Sequence, residues 1–406
     1  MTSTDLERLL ALLPTVDHKS GVPLFDKLIK DLGTAGPILQ ELVYSASNHD
    51  DPQLHTPHGL LTMVSGRELL RLTRPPGGLG LLRFLVLYNF TLQRRAFDGT
   101  VAQAMIRTVP AAGLEELEAA YRKAVRGGLG DQAASLLGRV ATDYGLESVG
   151  HLGIRCALGD VGRLGHNLVI ASAYVQAAEI VGGTKGLVPV MNLGRLQAFA
   201  LQGSPEPSIP ERSESDAHGD VEALGELVED GAFDRVEDVL GALAFAGHAE
   251  EAYRPLLIAA SADPGFLGHS LSLANAARVA SRYLTPSENA WLSWKLYRTL
   301  TTRFGYPEFL ALGTGESLDR EALLPALESS LRYRSPPAER TLRQALENGV
   351  PLDELLATVV NFYGNWTVGE KEHTISYLNA ALQTAKFLGR EQALLPLTIA
   401  LGKLPF

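Results

Sequence analysis

The chain has 406 residues, a formal net charge of −10 and a pI near 5.5, and 46% of its residues are hydrophobic. This composition is typical of a soluble globular protein and argues against a basic surface for nucleic acid or for an anionic membrane. The single cysteine, Cys156, cannot form an internal disulfide, which favours a reducing, cytoplasmic location. No apolar run approaches the roughly 20 residues that a membrane-spanning helix needs.

Amphipathic patterns predict a leading helix at the start of four successive stretches of the chain, over residues 5–13, 113–126, 221–229 and 318–333. The next helix in each stretch is predicted to end near a glycine, at Gly33, Gly145, Gly247 and Gly349. Alternating β patterns of any length are missing from the sequence. We therefore predict an all-α fold made of four repeats of about five helices.

One histidine recurs at the same place in each repeat, where a helix rich in small residues is predicted to begin. The four histidines are His58, His166, His269 and His373, and successive ones are just over 100 residues apart. If the repeats close into a pseudo-fourfold ring, the four imidazoles meet near one axis. In an open superhelix they would lie far apart, about one repeat from each other.

A segment rich in Pro, Ser and Glu, over residues 203–219, divides the chain at its midpoint. It contains little that a hydrophobic core could use. The sequence therefore predicts an N-terminal half of two repeats, residues 1–202, and a C-terminal half of two repeats, residues 220–406, joined by a surface linker.

Four imidazoles without a thiolate form a donor set that suits iron, copper, nickel, cobalt or zinc rather than magnesium or calcium. At the first turn of a helix, the positive end of the macrodipole disfavours the imidazolium and keeps the ligating form. Four such ligands leave one or two positions open for water, O₂ or substrate. The alternative is that the histidines only cap helix starts.

Further candidate residues lie close to these histidines. His55 is a candidate fifth ligand or proton shuttle and His49 a second candidate shuttle, although a solvated loop position explains either residue. Tyr377 shares a helix face with His373 and either lines a catalytic pocket or packs. Aromatic residues of the second half either wall a substrate site or pack between helices; they are Trp291, Trp294, Phe362, Tyr363 and Trp366.

Together these motifs resemble the questin oxidase family. The matching stretches are Ser47-Asn48-His49 with His58, then residues 165–173, residues 269–274 and residues 373–375, and their order spans most of the chain. Members of that family are largely helical and open anthraquinone-type rings with O₂, and one branch uses a non-haem iron held by histidines and a carboxylated lysine. The resemblance implies Fe²⁺ at the four recurring histidines, with O₂ as co-substrate and NADPH as a candidate reductant.

The chain departs from the family at its last motif. That motif reads His-x-x-Lys, whereas Ser376 stands at the lysine position here. The fifth ligand implied by the family is therefore in question, and Lys371 is a geometrically different substitute.

The leading hypothesis is an iron-dependent oxygenase of natural-product biosynthesis that acts on an aromatic or polyketide-like small molecule. Tyr377 and His55 are its candidate catalytic residues, and an apolar pocket is expected to exclude water. The alternative is a metal-free helical scaffold that binds a small ligand or a protein partner. A metal-dependent hydrolase or isomerase is a third possibility, distinguished by activity without O₂.

Overall fold

The structure is a computed structural model that describes residues 3–15, 17–29, 35–49, 57–73, 78–161, 165–211, 224, 227, 233–261, 269–304, 320–332, 337–365 and 371–403. Within these residues the secondary structure consists of nineteen α-helices and short 3₁₀ turns, without a strand. The predicted all-α class is confirmed. None of the described helices combines the length and the apolarity needed to cross a lipid bilayer.

In chain order the helices are α1 (Ser3–Leu12), α2 (His18–Leu28), α3 (Ala35–Ala46), α4 (His58–Leu70), α5 (Leu79–Asn89), α6 (Gly99–Ile106), α7 (Leu114–Arg126), α8 (Gly130–Ala157), α9 (His166–Val181), α10 (Leu187–Ala200), α11 (Phe233–Phe245), α12 (Arg254–Ser261), α13 (His269–Ala280), α14 (Pro286–Phe304), α15 (Arg320–Arg332), α16 (Pro337–Glu347), α17 (Leu352–Asn365), α18 (Lys371–Leu388) and α19 (Leu394–Lys403).

Glycines with positive φ interrupt or end several of these helices, as predicted. Gly145 has a φ of +87° and kinks α8, which continues beyond it. Gly247 and Gly349, with φ of +78° and +80°, follow the ends of α11 and α16. A positive φ is unfavourable for any residue that has a Cβ atom, so glycine is the usual residue at such positions. Gly33 lies outside the described residues.

One hydrophobic core runs through both predicted halves of the chain. The halves also share polar contacts: Gly78 N–H donates to Asn361 Oδ1 at 2.8 Å, and His151 Nδ1 lies 2.9 Å from the carbonyl oxygen of Tyr283. The beginning of the predicted linker packs on the N-terminal half, where Gly203 N–H donates to the carbonyl of Arg126 at 3.0 Å. Residues 212–219 of that linker lie outside the described residues.

The four helices that carry the recurring histidines pack on one another. Helix α4 packs against α9 and α18, and α13 packs against the same two helices. Each of the four therefore contacts two of the others. Together they form the part of the core that positions the candidate site.

Candidate metal centre

The predicted histidines all lie at the start of a described helix. His58, His166 and His269 are the first residues of α4, α9 and α13, and His373 is the third residue of α18. The side chain of His373 is outside the described part of the structure. The helix starts were predicted from local signals, and here the structure agrees with them.

Two of these histidines, His166 and His269, are in direct contact. Their Nε2 atoms are 3.1 Å apart, their ring centroids are 5.0 Å apart, and the ring planes are nearly perpendicular, at 81°. Both rings are half-buried. Helices α9 and α13 therefore start side by side, although 103 residues separate the two histidines.

This contact restricts the protonation of the two rings. Two Nε2–H groups cannot face each other at hydrogen-bond distance, so at least one Nε2 atom presents a lone pair. Either one neutral ring donates to the other, or both lone pairs point to a shared cation. Imidazole nitrogens lie about 2.0–2.1 Å from a zinc-like metal, so two neighbouring ligands are about 3.0–3.4 Å apart. The observed separation fits this second arrangement as well as the first.

The imidazole donor set is one that suits iron and similar transition metals. Within the described residues, no three histidine, cysteine or acidic side chains converge as a metal-binding group. The His58 side chain is described, and it does not join His166 and His269 in such a group. The described part of the site is therefore the pair His166 and His269.

Neither His58 nor His166 occupies the N-cap position of its helix. The N-cap positions belong to Pro57 and Gly165, neither of which makes a side-chain capping hydrogen bond. Gly165 has a φ of +65°, and a Cβ atom there would lie 2.1 Å from Leu273 Cδ1 of α13. His58 and His166 thus stand one position after the residue that usually provides a capping side chain. The absence of a Cβ atom at Gly165 leaves room for the Leu273 side chain of α13.

A cavity of about 310 Å³ lies among α4, α9, α13 and α18. All four helices line it in the same register. Leu61, Val169, Ser272 and Ser376 lie three residues after the histidines; Ser65, Ala173, Ala276 and Ala380 lie seven after; Glu68, Gln176, Val279 and Gln383 lie ten after. The lining mixes polar and apolar side chains, so an apolar pocket that excludes water stays a prediction.

Charged side chains line this cavity at the ends of the same helices. Arg67 lies 2.6 Å from Glu68, and Arg282 of the turn after α13 lies 2.7 Å from Glu179 of α9. The Tyr283 hydroxyl donates to Glu179 at 2.5 Å, and burial together with this carboxylate raises the pKa of Tyr283. Cations near helix C-termini offset the negative end of the macrodipole.

The remaining predicted residues near the histidines have different surroundings. Tyr377 is 5% exposed and belongs to the hydrophobic core, and its catalytic role stays a prediction. Ser376, at the family's lysine position, lines the cavity. His49 is not a solvated loop residue: its half-buried ring accepts a hydrogen bond from Gly59 N–H at 3.1 Å. His55 lies outside the described residues.

The predicted aromatic wall is partly visible. Trp291 and Trp294 of α14 pack against the core, with the Lys295 ammonium 5.4 and 5.5 Å from their ring centroids. Phe362 also packs against the core. The Tyr363 side chain and Trp366 lie outside the described part of the chain. A role for these rings in substrate binding stays a prediction.

Sequence reasoning missed the cavity-lining serine Ser272. Since Ser272 and Ser376 both follow a recurring histidine by three residues, alignment of the four helices contained the signal. Residues three apart share a helix face, so each serine is placed one turn along from its histidine.

The fold and the site thus define an all-helical protein with a pair of facing histidines at the start of two packed helices. Comparison with known proteins finds no matching family model, no matching curated protein and no matching solved structure. The resemblance to questin oxidases stays a prediction that rests on the motif residues.

Proposed function

We propose that this chain is a metal-dependent oxygenase in which His58, His166, His269 and His373 hold one iron ion. The observation that carries the proposal is the 3.1 Å approach of His166 Nε2 and His269 Nε2, which come from different repeats. These two residues were selected from the sequence only by their recurrence. Their contact is what a shared centre requires and what an open superhelix would not produce.

We further propose that the four repeats close into a ring. The packing of α4 and α13 against both α9 and α18 supports a closed set of four helices. The common register of the cavity lining supports it as well, because residues at the same distance from each histidine face one cavity. Position 373 falls in this register on α18, and position 58 does so on α4. Closure would place all four histidines at one end of the set.

Bound iron would supply the binding and reduction of O₂, the chemistry that the resemblance to questin oxidases also implies. The protein's own part is to present neutral nitrogen donors. His166 and His269 would present these donors from the first residues of α9 and α13. Ser272 and Ser376, one turn further along, offer hydroxyl groups that can hold a water molecule and pass a proton beside the histidines.

Metal analysis of purified protein tests the proposal, after anaerobic loading with Fe²⁺ and removal of excess metal. We expect about one iron per chain in the wild type and at least about tenfold weaker binding in the His166→Ala and His269→Ala variants. The His248→Ala variant is the matched control, because His248 is exposed and lies outside the site. Full iron retention in both site variants would contradict the assignment of His166 and His269 as iron ligands.

Activity is the second part of the test. O₂ consumption with a hydroxyanthraquinone should be seen in the iron-loaded wild type and the His248→Ala control, and should be lost in both site variants. Substrate turnover at the same rate without O₂ would instead identify a metal-dependent hydrolase or isomerase.

A metal-free ligand-binding scaffold is the second candidate function. It is favoured by one observation: a separation of 3.1 Å also suits an Nε2–H···Nε2 hydrogen bond between neutral rings, and the described residues contain no third converging ligand. In that case the wild type takes up no iron after loading. The His166→Asn variant, which keeps a polar side chain, should then melt within a few degrees of the wild type.

A further inference from the structure

A second cavity, of about 430 Å³, lies on the other side of α9 from the four-helix cavity. Tyr174 of α9 lines it, whereas the neighbouring Ser172 and Ala173 line the four-helix cavity. The rest of its wall comes from the segments that follow α3 and α5, from Pro57 before α4, from the start of α8 and from the last two turns of α10. Its volume is within the range of pockets that bind small molecules, about 300–1,000 Å³.

Arg195 of α10 is the fixed cationic group of this cavity. Its side chain is only 15% exposed, its Nε donates to Asp131 at 2.8 Å, and an Nη1 hydrogen goes to Asn192 Oδ1 at 3.0 Å. The guanidinium also stacks on the ring of Phe97, with its carbon 4.1 Å from the ring centroid. These contacts hold the planar group in one orientation, as recognition of a planar anion requires.

The guanidinium of Arg195 keeps unused donors. An arginine has five N–H groups, and here the third contact is a weak one, from Nη2 to the sulfur of Met105 at 3.5 Å. In the described structure, one hydrogen on each Nη atom therefore has no protein acceptor. A half-satisfied, mostly buried cation is unfavourable unless a ligand or water accepts from it.

The remaining wall of the cavity combines further positive charge with an apolar face. Arg95 lines it too, so two arginines face one carboxylate, Asp131, in a chain whose net charge is −10. Phe199, which is 57% exposed, and Leu196 supply an apolar surface. The cavity thus places a positive group beside an exposed aromatic ring.

Hydrogen-bonded amide side chains form another part of the cavity wall, next to Arg195. Asn192 Nδ2 donates to Ser47 O and to Asn48 Oδ1, both at 2.9 Å, and Asn48 Nδ2 donates to Phe97 O at 2.7 Å. The amide side chains of Asn48 and Asn192 are almost fully buried and hydrogen-bonded to each other. They fix α10, and with it Arg195, against the end of α3.

We propose that this cavity binds a small carboxylate with a flat apolar body. The carboxylate would accept hydrogen bonds from the two unused Nη hydrogens of Arg195, with Arg95 adding positive charge at the same end. The flat body would pack on Phe199 and Leu196. This site shares no lining residue with the four-helix cavity, and none of the four recurring histidines lines it.

Calorimetric titration with 2-naphthoate tests the site, with neutral 2-naphthamide as the matched ligand. We expect 2-naphthoate to bind with one-to-one stoichiometry and at least about tenfold more tightly than the amide, because only the carboxylate accepts both hydrogen bonds and carries charge. Equal affinity for the two ligands, or no binding of 2-naphthoate, overturns the proposal. So does loss of binding after chelation of metal ions, which would place the ligand at the histidines.

Three variants locate the bound ligand. Arg195→Lys keeps the charge but loses the planar fork, and Arg95→Gln removes a charge at an exposed position; each should weaken 2-naphthoate binding about tenfold. Phe199→Ala should weaken it about three- to tenfold. Arg107→Gln and Leu129→Ala, at exposed positions outside the cavity, are the controls and should bind as the wild type does.

Folding of each variant is checked by its melting temperature. If Arg195→Lys does not fold, the exposed variants Arg95→Gln and Phe199→Ala still decide the matter. Wild-type affinity in both of these folded variants contradicts the proposed site. Reduced affinity in both, with unchanged controls, supports it whether or not the protein binds iron.

Discussion

The two ends of helix α9 differ in how closely they are packed. At its start, Gly165 has a φ of +65° and lies so close to Leu273 that a Cβ atom would approach Leu273 Cδ1 to 2.1 Å. At its end, Gly182 has a nearly identical φ of +66°, but no neighbouring atom lies within 4 Å of an added Cβ. The two glycines share a positive φ, but their ψ angles are 19° at Gly165 and 176° at Gly182, and the second combination is almost restricted to glycine. Only Gly165 also has a neighbouring side chain where a Cβ atom would lie.

The polar side chains at the two ends of α9 also differ in how closely they are held. The start brings together two half-buried imidazoles, His166 and His269, whose relative position depends on the close approach of α9 and α13. The end carries the Glu179–Arg282 pair, whose side chains are 38% and 49% exposed and can adapt to small shifts. The side chains of α9 are therefore packed most tightly at the end where the proposed metal centre lies.

The largest expected effect comes from Gly165→Ala. It adds a steric conflict with Leu273 to the cost of positive φ, so we expect a loss of about 2–4 kcal/mol in the free energy of unfolding. Gly182→Ala measures backbone strain without a steric conflict, and its φ of +66° with a ψ of 176° predicts a loss of about 1–3 kcal/mol. Denaturant unfolding measures both losses. A loss below about 1 kcal/mol in Gly165→Ala would show that the close approach of α9 and α13 contributes nothing.

Iron should stabilise the protein through the histidine end alone. A ligand at 100 times its dissociation constant stabilises the folded state by about 2.7 kcal/mol, so anaerobic Fe²⁺ should raise the melting temperature of the wild type. Chelation should reverse the rise. The His166→Ala variant should show no rise, whereas Glu179→Gln, at the other end of α9, should respond as the wild type does. A rise of the same size in His166→Ala would place the metal elsewhere.

At the other end of α9, Tyr283 should contribute to the loss of stability at alkaline pH. Burial and the Glu179 carboxylate raise the pKa of Tyr283 above its usual value in the folded protein. A raised folded-state pKa stabilises the protein fully below the unfolded value of about 10, and the contribution is lost as pH increases beyond it. The wild type should therefore lose more stability than Tyr283→Phe between about pH 9 and 11. Parallel pH profiles for the two proteins would contradict this assignment.

The smallest expected effect is that of Glu179→Gln on stability at neutral pH. Partly exposed ion pairs contribute about 0–1 kcal/mol, because water screens both charges. Urea unfolding should therefore show a change below about 1 kcal/mol. A larger loss in the free energy of unfolding would mean that the C-terminal end of α9 is packed as tightly as its N-terminal end.

Sequence patterns predicted the parts of the site that depend on local physics. The first residues of α4, α9 and α13 are the predicted histidines, because Pro or Gly before a run of small and apolar residues favours a helix start. The glycine ends of α11 and α16 follow from the same kind of signal. The register of the cavity lining was also present in the sequence, as the positions three, seven and ten residues after each histidine.

Other features could not be predicted, because they depend on which helices pack together. The cavity shared by α4, α9, α13 and α18 has a mixed lining, in which serine and amide side chains alternate with Leu61, Val169 and Val279. Arg195 stood out by no motif. Its role arises because Asp131, Asn192 and Phe97, from three separate elements, converge on one guanidinium.

The sequence by itself determined the all-helical class and the helix starts at the recurring histidines, because helix periodicity and helix-end preferences act within a few residues. Only the tertiary structure decided that His166 and His269 meet with their Nε2 atoms 3.1 Å apart. That contact depends on side chains 103 residues apart and on the absence of a Cβ at Gly165. Close packing between distant segments selects one arrangement among many that local preferences allow.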